Sequence, residues 1–122
     1  MADYYQKFSF QWDVGSEVIA AEIVSAADKV EDGDDPWDFQ AHQDGTKIWF
    51  HDEFSGPDHV AEFIQGQMVK HDLKSPVEFE WSNDCSKPRL DAYGGGACIV
   101  TQTDIRTLST QQAIERLRRE VV

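Results

Sequence analysis

The residue types best suited to chemistry in this chain are concentrated between positions 85 and 96. Cys85 opens the run C-S-K-P-R, in which Lys87 and Arg89 bring two positive charges close to the thiol. Nearby cations favour the thiolate form of a cysteine, which is its reactive form. Three consecutive glycines close the segment: Gly94, Gly95 and Gly96. Backbone N–H groups of such a run can cradle an anion. The segment therefore predicts a small-ligand or enzymatic site, and the alternative is a long hairpin loop that needs glycines for positive φ.

A second set of candidates lies on the polar side of the predicted strands. Trp49 and His51 share one strand parity, and Glu78 and Glu80 occupy the polar positions of V-E-F-E-W. A large aromatic side chain among His and Glu indicates a contact surface, unless Trp49 packs under a loop or the last helix. His51 would form an acid–base pair with one of the glutamates if their strands were neighbours. Ordinary pairing of exposed charges is the alternative.

No metal or cofactor is expected. The four His and two Cys show neither C-x-x-C nor H-E-x-x-H spacing. The acidic run Glu31–Asp38 departs from the calcium-loop pattern, because no glycine stands at the sixth position and no glutamate at the twelfth. A hard cation there is kept as a third hypothesis, and a solvated connector is the alternative.

Composition and charge restrict the class of protein. The 122 residues are expected to form one domain over 1–122, and 40% of them are hydrophobic, which excludes a disordered chain. The net charge is −12, and residues 1–69 carry all of the excess, with 15 acidic and 3 basic residues. Such a charge repels nucleic-acid phosphates and fits solubility, cations or a basic protein partner.

The sequence also indicates a cellular location. It has no signal-like N-terminus and no apolar run of membrane-spanning length, so a cytoplasmic protein with free thiols is expected. If they were oxidised, Cys85 and Cys98 would face each other across the base of the 77–101 hairpin.

Periodicity predicts the elements that position these residues. Alternation of apolar and polar residues predicts five strands, at 4–14, 37–42, 46–54, 77–81 and 97–101. Helices are predicted from Ser16 to near Gly33, from Pro57, and from Ser109, where Gln112 completes a capping box. In the last helix the predicted inward residues are Ala113, Ile114, Leu117 and Val121. Its predicted outward residues are Arg116, Arg118 and Arg119.

The order β-α-β-β-α-β-β-α predicts an α+β protein. Its first six elements match the ferredoxin-like pattern, extended by one strand and a C-terminal helix. We expect a two-layer sandwich in which helices lie mainly on one face of an antiparallel five-stranded sheet.

The segments C-S-K-P-R (85–89) and G-G-G-A (94–97), followed by an apolar strand, carry a resemblance. The chain resembles a loosely defined, uncharacterised group of small acidic proteins of bacteria, phages and plasmids. The group has a similar aromatic first strand and a similar acidic strand before the Cys. The resemblance brings no known activity, and it implies a mobile-element role in which acidic proteins block host enzymes by imitating nucleic-acid charge.

These observations favour a non-enzymatic, acidic protein-binding module, possible partners being a basic protein or a second copy of the chain. An inhibitor of the anti-restriction or anti-CRISPR type is the form that the resemblance implies. The alternatives are a ligand-binding or enzymatic site at the 85–96 loop, and a purely structural or dimerising role. Neither direct nucleic-acid binding nor membrane insertion is expected.

Overall fold

A computed structural model describes residues 3–28, 39–54, 56–90 and 92–121. The acidic run Glu31–Asp38 lies outside these residues. Within them, six strands and three helices alternate along the chain. The strands are β1 (Tyr4–Asp13), β2 (Gln40–Asp44), β3 (Lys47–Asp52), β4 (Val77–Cys85), β5 (Gly94–Val100) and β6 (Ile105–Ser109). The helices are α1 (Glu17–Asp28), α2 (Pro57–Lys70) and α3 (Thr110–Val121).

The strands form one antiparallel sheet in the order β2-β3-β1-β4-β5-β6. The predicted α+β class is confirmed, but the five-stranded sheet is wrong by one strand. The ferredoxin-like arrangement with a single added strand is therefore matched only in part. The missing strand is β6, whose two aliphatic residues, Ile105 and Leu108, are three positions apart and so give no strand periodicity.

Strand β1 changes partner along its length. Residues Tyr4 to Lys7 pair with β4, and residues Phe8 to Asp13 pair with β3. The rings of Phe10 and Phe79 stack with centroids 4.5 Å apart where the β1–β4 ladder has ended. The two halves of the sheet are thus joined by backbone pairing at one end of β1 and by aromatic packing along the rest.

Helices α1 and α2 cover one face of the sheet. The α1 side chains Ala20, Ile23 and Ala27 are buried, as the helical periodicity predicts. The α2 residues that are buried beside the sheet are Pro57, Val60, Ala61, Phe63, Ile64 and Met68. Helix α1 contacts β2 and β3, while α2 contacts β5 and β6. The opposite face of the sheet carries none of this packing.

Helix α3 begins as predicted but packs differently. Its capping box is formed, because the Ser109 N–H donates to Gln112 Oε1 at 2.8 Å and the Gln112 N–H donates to Ser109 Oγ at 3.2 Å. The predicted inward face is wrong, however. None of the described α3 side chains is buried, and Leu117 is 57% exposed. Periodicity identified an apolar stripe, but none of the described elements buries it.

The glycine run belongs to β5 and not to a loop. Gly94 and Gly95 have φ of +146° and +152°, a region that residues with a side chain rarely adopt. Gly94, Gly95 and Gly96 pair with Asn83, Ser82 and Trp81 of β4. A Cβ at position 95 would collide with the Trp81 carbonyl oxygen, and one at position 96 would collide with the Trp81 ring. These glycines are required because two strands pack closely under a large ring.

We therefore expect Gly95→Ala to lower the free energy of unfolding by about 1–3 kcal/mol, because it adds both backbone strain and a clash. Gly66→Ala is the matched control. Gly66 is exposed within α2 and a Cβ there meets nothing within 4 Å, so this change should stabilise the protein by roughly 0.4–1 kcal/mol. Urea denaturation of the two variants measures both effects, and equal stabilities would contradict this account of the glycine run.

Candidate functional site

A broad groove crosses the face of the sheet that α1 and α2 leave open. It has a volume of about 1170 Å³. Its apolar lining consists of Phe8, Phe10, Trp49, Phe79, Trp81, Ala97, Cys98, Ile99 and Leu108. Its charged lining consists of Lys7, Asp52, Glu53, Glu78, Glu80 and Arg106. Four polar residues complete it: Ser9, His51, Ser82 and Thr107. We call this feature the sheet groove.

Phenylalanine rings lie beneath the sheet groove where β1 changes partner. The hydrogen-bonded ladder between β1 and β4 ends at Lys7. Beyond it, Phe8 and Phe10 of β1 approach Phe79 of β4 through their rings, with centroids 6.2 Å and 4.5 Å away. Phe8 and Phe79 are each only 5% exposed, so these rings belong to the core. The apolar surface that the groove offers to solvent is that of Trp49, Ala97, Ile99 and Leu108.

Trp49 is held in a fixed position on this face. Its indole Nε1–H donates to Ser9 Oγ on β1 at 2.8 Å. Its ring stacks on His51 at 4.1 Å and lies 5.6 Å from His42. Even so, 42% of Trp49 is exposed. The side chain is therefore held in one orientation by its neighbours while a large part of its ring stays open to solvent.

The acidic side of the sheet groove is supplied by β4. Glu78 lies opposite Ile99 of β5, and Glu80 lies opposite Ala97. Both glutamates are exposed, and neither forms a hydrogen bond or ion pair with any residue that the structure describes. Two carboxylates beside apolar side chains form a surface that favours a partner with both apolar and positively charged groups.

The predicted pair of His51 with Glu78 or Glu80 is wrong. Strand β1 lies between β3 and β4, so the strands of the two residue types are not neighbours. His51 is instead opposite Ser9, and its Nε2 is buried without a hydrogen-bond partner among the described residues. The four residues share the sheet groove, but they do not form an acid–base unit.

The Cys-containing segment lies outside the sheet groove. Cys85 ends β4, and Lys87 and Arg89 are exposed in the loop that follows it. Tyr93 Oη donates to the carbonyl oxygens of Cys85 and Lys87, at 3.2 and 3.0 Å. The Ser86 N–H also donates to the Asp3 carbonyl oxygen at 2.9 Å, so the loop is held both by Tyr93 and by the start of the chain.

An anion cradle at the glycines is not formed. Gly94, Gly95 and Gly96 are paired with β4, and the Gly95 N–H donates to Thr110 Oγ1 at 3.2 Å. The predicted 85–96 site is therefore divided. The cations stand in an exposed loop, while the glycines serve strand packing.

The two cysteines are free and do not face each other. Cys98 pairs with Phe79, which is six residues before Cys85 and hence about 20 Å from it along β4. Burial of Cys98, with a smaller effect from the negative charge of Asp58, raises the pKa of its thiol to about 11. Cys98 is consequently an inert part of the groove wall.

Sequence reasoning missed one side of the sheet groove. Arg106 and Leu108 belong to β6, which was not predicted. Ala97 and Ile99 were assigned to a strand, but the prediction did not say on which face of the sheet they lie. The signal present was the apolar run Ala97–Val100. Its outward members became recognisable only once β6 was known to extend the open face.

The described residues show no other familiar chemistry. None of their His, Cys, Asp and Glu side chains form a group of three that could hold a metal ion. No helix among them has the length and apolar character needed to cross a bilayer. Comparisons of the chain with family models, curated proteins and solved structures gave no match. The function must therefore be inferred from the geometry of this chain.

We expect an alkylating reagent at neutral pH to label Cys85 and to leave Cys98 essentially unmodified. A thiol with a pKa of about 11, against an ordinary value of 9.0, has roughly 100-fold less thiolate, and burial slows its reaction further. Mass spectrometry of the labelled protein over time measures both rates. Cys85→Ser protein is the control, and it should take up label only after unfolding in urea. Equal rates in the native protein would contradict this assignment.

Proposed function

We propose that this protein is a non-enzymatic protein-binding module, and that the sheet groove holds a basic, amphipathic helical segment of its partner. The observation that carries the proposal is an open groove with exposed Trp49 beside two glutamates, Glu78 and Glu80, that have no hydrogen-bond or ion-pair partner among the described residues. Apolar surface supplies affinity on burial, and unpaired charges at its side select the sign of the partner.

The dimensions of the sheet groove favour a helix as the bound element. From β3, which carries Trp49, across β1, β4 and β5 to β6, which carries Leu108, there are four interstrand spacings, or about 19 Å. A helix with its side chains is about 10–12 Å across. One helix therefore fits between the Trp49 side and the Leu108 side. Helices packed on a sheet face are also a common way to bury its apolar side chains.

Trp49 is the expected anchor of the contact. Tryptophan side chains that are packed on one side and open on the other are frequent hot spots of protein interfaces. The Ser9 hydrogen bond and the His51 stack hold its indole ready for a partner. Alanine at position 49 should cost more affinity than alanine at a polar groove position such as Ser82.

The charge of the whole chain supports the same class of function. A net charge of −12 attracts basic proteins over long range and speeds their encounter. The resemblance to small acidic proteins of phages and plasmids adds a narrower proposal, an inhibitor that occupies the nucleic-acid site of a host enzyme. The loop with Cys85, Lys87 and Arg89 plays no part in this proposal, because it lies outside the sheet groove.

Two synthetic helical peptides test the proposed function directly. Both carry leucine at positions i, i+3 and i+7, and they differ only in flanking the leucine stripe with arginines or with glutamates. We expect the arginine peptide to bind about 10-fold or more tightly than its twin, and to lose affinity as salt is raised. Fluorescence anisotropy of the labelled peptides measures both affinities.

A matched pair of variants locates the binding surface. Glu80→Lys should remove the preference for the arginine peptide, while Glu62→Lys makes the same charge change on exposed α2 and should keep it. The proposal is overturned if the two peptides bind equally, if neither binds, or if the two variants behave alike.

A further inference from the structure

Helix α3 is amphipathic, and the described part of the chain leaves its apolar face exposed. Ile114, Leu117 and Val121 follow the i, i+3, i+7 spacing of one helix face and are 50%, 57% and 86% exposed. A 12-residue helix is marginally stable in water on its own. Its capping box and the bond from Gly95 to Thr110 secure only the first turn. An exposed apolar stripe of this kind is typical of an interaction surface.

The sheet groove is an apolar surface of the kind that this stripe lacks. No α3 residue of the same chain lines it. Helix α3 nevertheless begins directly after β6, and the β6 residues Arg106, Thr107 and Leu108 form one edge of the groove. β6 is also the last strand of the sheet and pairs with β5 alone among the described strands. A second copy that lies against this edge would bring its sheet groove next to α3 of the first copy.

The charges of the two surfaces are complementary. Arg118 is one turn beyond Ile114 and therefore flanks the apolar stripe. No ion pair joins Arg116, Arg118 or Arg119 to another described residue. In the sheet groove, Glu78 and Glu80 likewise have no ion-pair partner among the residues that the structure describes. The positive charge of Arg118 beside the apolar stripe of α3 is therefore complementary to the carboxylates of Glu78 and Glu80 in the sheet groove.

We propose that α3 of one copy of this chain lies in the sheet groove of a second copy, and that the second copy returns the same contact. The result is a two-fold dimer in which each groove holds the partner's helix. In a two-fold arrangement one helix–groove contact is made twice, which doubles the buried surface. This inference rests on the proposed function of the groove, and it names the occupant that the chain itself supplies.

Sedimentation velocity over a range of concentrations tests the dimer. We expect a monomer–dimer equilibrium that Leu117→Asp weakens by about 100-fold or more, because it places a charge in the centre of the buried stripe. Leu117 is exposed in the single chain, so circular dichroism should show the variant folded. Arg119→Gln is the control. It makes the same net charge change away from the stripe and should leave the equilibrium within about threefold of the wild-type value.

Intermolecular cross-linking tests the contact itself. One protein carries Cys85→Ser and Leu117→Cys, and the other carries Cys85→Ser and Ala97→Cys, in the wall of the groove. Mild oxidation of the mixture should give the mixed disulfide dimer. Glu115→Cys, on another side of α3, should give far less. Cys98 does not interfere, since it is buried.

Each outcome decides the inference. It is supported by a dimer that Leu117→Asp dissociates and that cross-links from 117 to 97. It is overturned by a monomer at all concentrations, by a dimer that Leu117→Asp leaves intact, or by equal cross-linking from 115 and 117. If the dimer inference fails while the arginine peptide still binds the sheet groove, the proposed function stands and the occupant of the groove is a different protein. If the peptide also fails to bind, both proposals are lost.

Discussion

The stack of Phe10 on Phe79 is the contact on which this structure depends. On one side of it, β1 is hydrogen-bonded to β3, and on the other side β4 is hydrogen-bonded to β5. Aromatic pairs of this kind contribute about 0.5–1.5 kcal/mol beyond the burial of their area. Here the pair also replaces a part of the backbone ladder. The sheet stays continuous, because core packing joins β1 to β4 where their backbone ladder has ended.

An apolar lining on an open sheet face has a physical consequence. The three described helices do not cover this face. Helices α1 and α2 pack on the other face of the sheet, and α3 follows the last strand in the chain. Water therefore contacts Trp49 and Leu108 in the groove and aliphatic side chains on α3 at the same time. Exposed apolar surfaces of this kind are typical of interaction sites. The charges beside the two surfaces have opposite signs, acidic in the groove and basic on α3.

Much of the fold could be predicted because it rests on local periodicity. The buried α2 residues Val60, Phe63, Ile64 and Met68 follow a helical repeat, and the alternation around Trp49 places it outward. The capping box at Ser109 is equally local, since three residues of sequence specify it. The errors are of another kind. β6 was missed because its residues do not alternate between apolar and polar. The glycines were assigned to a ligand-binding loop, but they allow close packing against the neighbouring strand. The apolar stripe of α3 was assigned to the core, but periodicity does not show which surface covers a stripe.

The sequence by itself determined the buried faces of α1 and α2, the outward position of Trp49, the capping box at Ser109, and the sign and size of the charge. Only the tertiary structure decided that Glu78 and Glu80 share a groove with Trp49, that the glycines at 94–96 lie against Trp81, and that α3 is left uncovered. The reason is physical. Periodicity fixes the side of an element on which a side chain lies, but strand order and register fix its neighbours, and these depend on contacts between residues far apart in the chain.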